Sequence, residues 1–287
     1  MKYQQILNLA QRYDKAIEHL ENKAIARLNK TFDDAYRQLL GQIKLSIYTQ
    51  KQQYNLLNRN VFVAEQLREI LDLFITDNNH QDTFNALLQT AAQQGVFFSA
   101  QVADVPFTNI PVEAIAFQTE ETYKRLIRHG ESFAEDVTNI VGSGLAQGWG
   151  ERQITTALNT RLGILKGRAE DIARTESIKA YSNTSQQRFL DAGIDEIIWL
   201  TVKDNVCKFC SWRNGKVFKI GSVVHPPHPR CRCVLIPRVG EDEADFLKDY
   251  PKYEGENPGV APFEITAGFT KVEAIADLIL DQTKFAG

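Results

Sequence analysis

The first hundred residues carry apolar side chains at helical spacing. One stripe advances by three and four positions and consists of Ile6, Leu9, Tyr13, Ile17, Leu20, Ala24 and Leu28. This spacing places the apolar side chains on one face of a helix. The pattern continues through Phe32, Ala35 and Leu39 to a break at Gly41. We therefore predict a long N-terminal helix whose narrow apolar stripe is typical of a bundle or an extended arm.

Helical patterns also fill most of the chain that follows, as far as Gly193. Two further helices are predicted at 60–76 and 82–95, separated by a turn at Asp77–His80. Prolines 106 and 111 end this region, and no proline occurs in 1–105 or 112–225, which permits long helices.

A second helical region is predicted at 112–190. Its glycine-rich middle, GLAQGWGERQITTAL, predicts a helix end, a turn and a new helix start. Lys166-Gly167 predicts the start of another helix, which ends at Gly193 as the residue after the cap.

The hydrophobic period changes from 3.6 to 2 near residue 196. β-Branched and aromatic residues at 196–202 predict a strand, and two short strands are expected at 216–219 and 233–236. The fold class is therefore α+β, a predominantly helical N-terminal region followed by a small α+β module with short antiparallel strands. The module spans 196–238.

Composition excludes several classes of protein. The chain has 287 residues, 43% hydrophobic and 24% charged, which is an ordinary globular mixture rather than that of a disordered chain. No apolar run reaches the length of a membrane helix, and the N-terminus lacks the apolar core of a signal peptide. The net charge of −3 does not suit a polycation that coats nucleic acid.

The cysteines are concentrated in one short window. All four lie between positions 207 and 233, together with two of the five histidines, His225 and His228. Such clustering in a chain without secretory features favours a metal site over disulfides. A C-x2-C knuckle supplies two thiolates, and tetrahedral zinc needs two more ligands. The candidate ligands are Cys207, Cys210, His228, Cys231 and Cys233.

The choice between Cys231 and Cys233 stays open. The first expectation is a site made of Cys207, Cys210, His228 and one of these two, because alternate residues of an extended strand point to opposite faces. Both could still ligate. Four protein ligands leave no open position, so the zinc would be structural.

The window is also basic. Residues 203–232 hold seven basic residues against one acidic residue, which predicts a surface for non-specific contact with phosphates. The candidate nucleic-acid contacts are Lys208, Arg213, Lys216, Arg230 and Arg232. A solvated surface balancing the acidic stretch 240–256 is the alternative interpretation.

A polar set precedes the module on the predicted helix. It consists of Arg174, Thr175, Glu176 and Asn183. Glu176, Ala180 and Asn183 share one helical face, and we expect the acid and the amide to face the module and satisfy its loop backbone.

These segments together resemble a known family. The order is RAEDIARTESIKAYSN, a strand, DNVCKFCSWRNGKVF and then PPHPRCRC. This order is similar to that of the phage head morphogenesis or minor head proteins, which include the Mu F protein and the SPP1 minor capsid protein. The resemblance covers roughly 115–240. It carries over Arg174, Thr175, Glu176, Asn183, Cys207, Cys210, Gly215, His228, Cys231 and Cys233 as structurally important positions.

The resemblance implies a non-enzymatic virion protein. Such a protein would be made in the host cytoplasm and enter the capsid in several copies around the portal vertex. Its partners would be the portal protein or the major capsid protein, with non-specific DNA contact and a role in packaging or DNA ejection.

The implied organisation has three parts. Residues 1–105 form a helical N-terminal region, 106–240 form the Mu F-like minor head protein domain, and 241–287 form an acidic linker with a C-terminal helix.

Two alternatives use the same residues. One is a zinc-dependent nuclease with His225 as its base, and the other is a zinc DNA-binding module unrelated to virions.

Overall fold

The computed structural model describes residues 1–50, 78–103, 112–201, 206–239 and 242–250. Within these ranges the long helices are α1 (Tyr3–Gln50), α2 (Asn78–Ala103), α3 (Val112–Ala146) and α4 (Glu151–Asp191). The strands are β1 (Glu196–Leu200), β2 (Lys216–Lys219) and β3 (Val234–Pro237). The short helical segments are α5 (Lys208–Arg213), α6 (Glu243–Phe246) and a 3-10 turn (Leu247–Asp249).

The α+β fold class predicted from the sequence is confirmed. Long helices come first, and a small antiparallel sheet follows them. The predicted break in the glycine-rich middle of the second helical region lies between α3 and α4. None of the helices among the described residues has the length and apolarity to cross a bilayer.

Two predicted helix breaks are wrong. Helix α1 continues through Gly41 to Gln50, and helix α4 runs through Gly167 without interruption. A single helical glycine costs only about 1 kcal/mol relative to alanine, which a packed helix face outweighs. The predicted turn at Asp77–His80 is wrong in its described part, because α2 already begins at Asn78. The predicted helix 60–76 and the boundary at 105–111 lie outside the described residues.

Helix α4 ends as the sequence predicts. Gly193 has a φ of 77°, and its amide donates to the carbonyl of Leu190 at 2.9 Å. The amide of Ile194 donates to the carbonyl of Phe189 at 2.9 Å. These two bonds form a Schellman motif, which needs a left-handed residue at the position of Gly193. The motif turns the chain into β1.

The chain forms two compact units that do not follow its order. Unit 1 contains Met1–Glu21, Ala86–Gln118 and Arg174–Gly287, and unit 2 contains Asn22–Asn85 and Thr119–Ala173. Each long helix therefore contributes residues to both units.

Unit 2 is helical in its described part. Its core is built from apolar side chains of all four long helices: Leu28, Phe32, Leu39, Phe84, Leu126, Phe133, Val137, Ile154, Leu158 and Leu165. Phe32 stacks on the ring of His80 with centroids 5.4 Å apart. Lys166 of α4 pairs with Asp33 of α1. This unit contains no cysteine.

Unit 1 contains the sheet, in the order β2-β1-β3 with both pairings antiparallel. Residues 197–200 of the central strand are fully buried, and Trp199 is the largest of them. The core of this sheet continues into the first turns of α1 and the C-terminal part of α4 through Tyr3, Ile6, Ile178 and Phe189. The sheet therefore packs on helices from both ends of the helical region.

The predicted acidic linker is partly structured. Residues 243–249 form α6 and a 3-10 turn, and the ring of Phe246 stacks on Tyr3 at 5.3 Å and packs at a tilt against Tyr250 at 5.0 Å. Phe246 is buried, so the start of this segment belongs to the core of unit 1 rather than to a solvated linker. The C-terminal helix predicted in 241–287 lies outside the described residues.

Candidate metal centre

The first knuckle opens a short helix rather than a simple turn. Cys207 is the N-cap of α5, and its Sγ accepts a hydrogen bond from the amide of Cys210 at 3.4 Å. The side chain of an N-cap residue turns back over the first helical turn. The two thiols therefore lie together at the start of α5, and Cys210 is buried while Cys207 is exposed.

The second group of candidate ligands lies on the irregular segment before β3. The amide of Cys231 donates to the carbonyl of His228 at 3.3 Å, which closes a tight turn. Arg230 within this turn adopts a φ of 59°, a left-handed conformation uncommon for a non-glycine residue. The turn brings His228 and Cys231 to the same side of the chain, towards α5.

The spacing between donor atoms fits one tetrahedral ion. Nε2 of His228 lies 3.3 Å from Sγ of Cys207 and 3.2 Å from Sγ of Cys210. The Sγ atoms of Cys210 and Cys231 are 3.8 Å apart. Around tetrahedral zinc, two sulfurs lie about 3.8 Å apart, and a sulfur and a nitrogen about 3.6 Å apart. The cluster therefore has a shape that can hold a metal ion.

Both Cys231 and Cys233 turn towards the cluster. The Sγ atoms of Cys210, Cys231 and Cys233 lie within 4.8 Å of one another, and Cys210 also belongs to the group with Cys207 and His228. The expectation that the last two cysteines point to opposite faces does not apply, because β3 begins only at Val234. The five donors thus form two overlapping groups that share Cys210, and the set of four ligands stays a prediction.

The thiols and the imidazole of the cluster shift one another's pKa values. The pKa of Cys231 is held well below its usual value by hydrogen bonds from Cys210 and Cys233. Hydrogen bonds with Cys231 and Cys233 raise the pKa of Cys210. The hydrogen bond to Cys231 raises the pKa of His228 to about 9. A metal cation takes the place of such protons when it binds thiolates.

His225 supports the cluster without belonging to it. Its Nε2 lies 3.0 Å from the carbonyl oxygen of Cys233, and its Nδ1 lies 3.0 Å from Oγ of Ser182 on α4. A carbonyl only accepts, so Nε2 carries the proton and Nδ1 accepts from the serine. Gln186 in turn donates to the same Oγ at 3.0 Å. Both ring nitrogens of the buried His225 therefore have partners in the core, which suits a supporting role.

A second polar network holds Arg232, which lies between two of the candidate ligands. Its guanidinium is buried and donates to Asp14 at 3.1 Å and to Glu21, both on α1. Glu21 is fully buried and also accepts from Ser177 and, at 3.3 Å, from Arg174. The network joins α1, α4 and the Cys231–Cys233 segment within unit 1.

The comparison with known families agrees with this arrangement. Residues 135–236 match the family described as "Phage Mu protein F like protein". The match covers 102 of the 287 residues. The matched segment contains the whole Cys/His cluster, so the predicted resemblance is confirmed over these residues. No curated protein and no solved structure matches the chain.

Only part of the expected basic surface is exposed among the described residues of the Mu F-like segment. Arg213 is buried, with its guanidinium 3.5 Å from the ring centre of Phe209, and Arg232 lies in the ion network. Lys216 is half-buried, with Nζ 3.3 Å from the ring centre of Trp212. Of the five predicted nucleic-acid contacts, only Lys208 and Arg230 are exposed. The expectation for Arg213 and Arg232 is therefore wrong, because buried guanidinium groups cannot reach a phosphate backbone.

The residues of the polar motif on α4 contact different parts of the structure. Arg174 joins the network of Glu21, as a supporting role predicts. Glu176 is fully buried and accepts from Gln118 of α3 at 3.1 Å, and its expected contact with the module stays a prediction. Asn183 is half-buried, and no contact of its side chain with the Cys/His cluster is observed in the described part of the chain.

Sequence reasoning missed the acidic partners on α1. The buried face of this helix keeps Ile6, Ile17, Ala24 and Leu28 of the predicted stripe and adds Tyr3, Leu7, Ala10, Asp14 and Glu21. Asp14 and Glu21 thus occupy core positions. The signal available in the sequence was two carboxylates at a spacing of seven on an apolar face, which calls for buried cationic partners.

Proposed function

We propose that this protein is a structural component of a phage head, attached at the portal vertex through a metal-stapled Mu F-like domain. The observation that supports it is the family match over 135–236, a family of head morphogenesis proteins, together with the Cys/His cluster inside that segment. The protein would act by holding its partners, the portal protein or the major capsid protein, rather than by catalysis.

The metal we propose is zinc. The donors are thiolates and one imidazole, which suit zinc better than the oxygen-preferring cations. Four of the five donors would fill a tetrahedral shell, so no position would stay open for a reacting water. The sheet of the module has three short strands, and a small core of this kind gains stability from a cross-link such as a bound metal ion. Cys207, Cys210, His228 and Cys231 are the ligands we favour, because short donor distances connect them.

Elemental analysis tests the metal. Protein purified without added metal should carry about one zinc per chain, because thiolate sites of this kind bind zinc tightly. Cys210→Ser should lose it, since Cys210 belongs to both donor groups, and Ser211→Ala on the same helix should retain it. Wild-type protein free of zinc and unable to take it up would contradict the metal proposal.

Association with heads tests the assembly role. The chain should sediment with head particles and copurify with the portal protein when the structural proteins are expressed together. The Cys210→Ser variant should be depleted from these particles, while Ser211→Ala should not. A wild-type chain that stays in the supernatant beside normal particles would contradict a structural role in the head.

A further inference from the structure

Arg232 lies between the metal cluster and helix α1. It is flanked by Cys231 and Cys233, whose thiols turn to the cluster, while its own guanidinium points to Asp14 and Glu21. The position of the Arg232 side chain therefore constrains the directions in which the neighbouring Cys231 and Cys233 thiols point. Residues 231–233 lie outside the helices and strands, so the contacts of Arg232 contribute to holding this segment in place.

Glu21 is the centre of that anchor. Its carboxylate is fully buried and contacts the guanidinium groups of Arg232 and Arg174 and the hydroxyl of Ser177. Burial raises the pKa of Glu21, although the partners act to lower it. Burial acts to lower the pKa of Arg232, but the two carboxylates outweigh it and the net pKa is raised. The two side chains form a buried ion pair in the core of unit 1.

The first turns of α1 dock on the same unit at further points. The amide of Tyr3 donates to Asp242 at 3.2 Å, and the ring of Tyr3 stacks on Phe246. Tyr13 packs edge-on to Phe98 and accepts from Gln101. Residues 3–21 therefore pack against the rest of unit 1, which contains the cluster.

We propose that Glu21 is a positioning residue for the metal centre, and that metal binding and docking of residues 3–21 are coupled through Arg232. The inference rests on the proposed metal site. With Glu21 in place, Arg232 is drawn to α1 and Cys231 and Cys233 face the ion. A bound ion fixes the same segment and thereby presents the guanidinium to Asp14 and Glu21. Coupling of this kind is reciprocal, so each event strengthens the other by the same factor.

Zinc affinity measured by competition with a chromogenic chelator tests the first half. Glu21→Gln removes the charge and keeps the shape, and should weaken zinc binding about 10- to 100-fold, as is typical when a partner of a metal ligand segment is lost. Glu18→Gln, one helical turn earlier at a partly exposed position, should bind zinc as the wild type does. Asp14→Asn should give a smaller loss than Glu21→Gln, because the buried Glu21 accepts from Arg174 and Ser177 as well as from Arg232.

Hydrogen exchange in the wild-type chain tests the second half without any substitution. Removing zinc should speed exchange of the amides of residues 3–21, while amides of 119–146 in unit 2 keep their protection. This measurement decides the question even if Glu21→Gln fails to fold.

The outcomes separate the two proposals. A wild-type chain that binds no zinc overturns the metal site itself. Tight zinc binding that is unchanged in Glu21→Gln, or unchanged protection of 3–21 on zinc removal, overturns the coupling and leaves the metal site standing. Equal losses in Glu18→Gln and Glu21→Gln also overturn it, because the effect would then be one of overall charge.

Discussion

His225 shows how single buried side chains shape the module. Its imidazole connects Ser182 on α4 to the backbone of Cys233, and its ring meets Trp199 edge-on with centroids 5.0 Å apart. A neutral histidine with one donor and one acceptor satisfies both neighbours at once. Neither asparagine nor a hydrophobic residue reproduces these two contacts at once. His225 therefore connects helix α4 to the segment that carries Cys231 and Cys233.

Replacing His225 by alanine should destabilise unit 1. The Cys233 carbonyl and the Ser182 hydroxyl would each lose a partner in the core, and an unsatisfied buried polar group costs about 1–3 kcal/mol. The cavity left by the ring adds to this loss. Urea unfolding should show a decrease of about 2–4 kcal/mol. His19→Ala, at an exposed position on α1, is the control, and an equal loss there would contradict this explanation.

Residue chemistry explains which parts of the site could be predicted. Four cysteines in one short window indicate a candidate metal site by their residue type and spacing. Arg213 and Arg232 were predicted to be surface cations because sequence does not reveal whether an arginine has a buried partner. Their partners are distant in the chain or aromatic: Glu21 is 211 residues from Arg232, and the ring of Phe209 covers Arg213.

At the scale of elements, the connection from α5 to β2 is the tightest part of the module. Gly215 has a φ of 71°, and its amide donates to the carbonyl of Trp199 at 2.8 Å. A Cβ at this position would lie 2.5 Å from the carbonyl oxygen of Tyr250. The preceding Asn214 accepts from the amide of Thr201 at 2.9 Å. The Asn-Gly pair thus fixes β2 beside β1 and leaves no room for a side chain.

Gly215→Ala should therefore be costly, unlike an alanine elsewhere. Strain at positive φ and the collision with backbone should lower stability by at least about 1–3 kcal/mol. Gly163→Ala is the matched control, because Gly163 lies inside α4 with open space around its Cβ position. That change should stabilise the helix by about 0.5–1 kcal/mol. Thermal unfolding of both variants, followed by circular dichroism, compares them, and a neutral Gly215→Ala would contradict the strain argument.

Element types were predictable where one strong pattern covers the element. The three strands appear close to their expected positions because β-branched residues and the Asn-Gly turn mark them. Helix α5 was missed, since six residues starting in a C-x2-C knuckle show no period. The breaks expected at Gly41 and Gly167 failed because tertiary packing outweighs the modest cost of helical glycine.

At the scale of the whole molecule, we expect the two units to depend differently on the proposed metal. The Cys/His cluster lies in unit 1, and unit 2 has a helical apolar core of its own. Since a bound metal stabilises only the structure that it holds, chelation should affect the units unequally.

Tryptophan fluorescence can separate the units. Trp149 lies in unit 2, while Trp199 and Trp212 lie in unit 1, so fluorescence of Trp149→Phe reports on unit 1 alone. Chelation should lower the midpoint of this fluorescence transition by about 5–10 °C or more, because a ligand at a hundredfold excess over its Kd contributes about 2.7 kcal/mol. Most of the far-UV helical signal should persist between the two midpoints. Parallel loss of both signals with chelator would contradict the difference between the units.

The contacts of Arg232 also impose an order on synthesis. Its partners Asp14 and Glu21 precede it in the chain by 218 and 211 residues and leave the ribosome long before it, whereas Cys231 and Cys233 emerge together with it. The first turns of α1 therefore lack these contacts while residues 22–173 emerge and can begin to fold. During this time the two carboxylates lie on the apolar stripe of the helix without Arg232. The carboxylates make that surface less prone to self-association than an all-apolar stripe would be. Two acids buried in the finished protein thus also protect the growing chain.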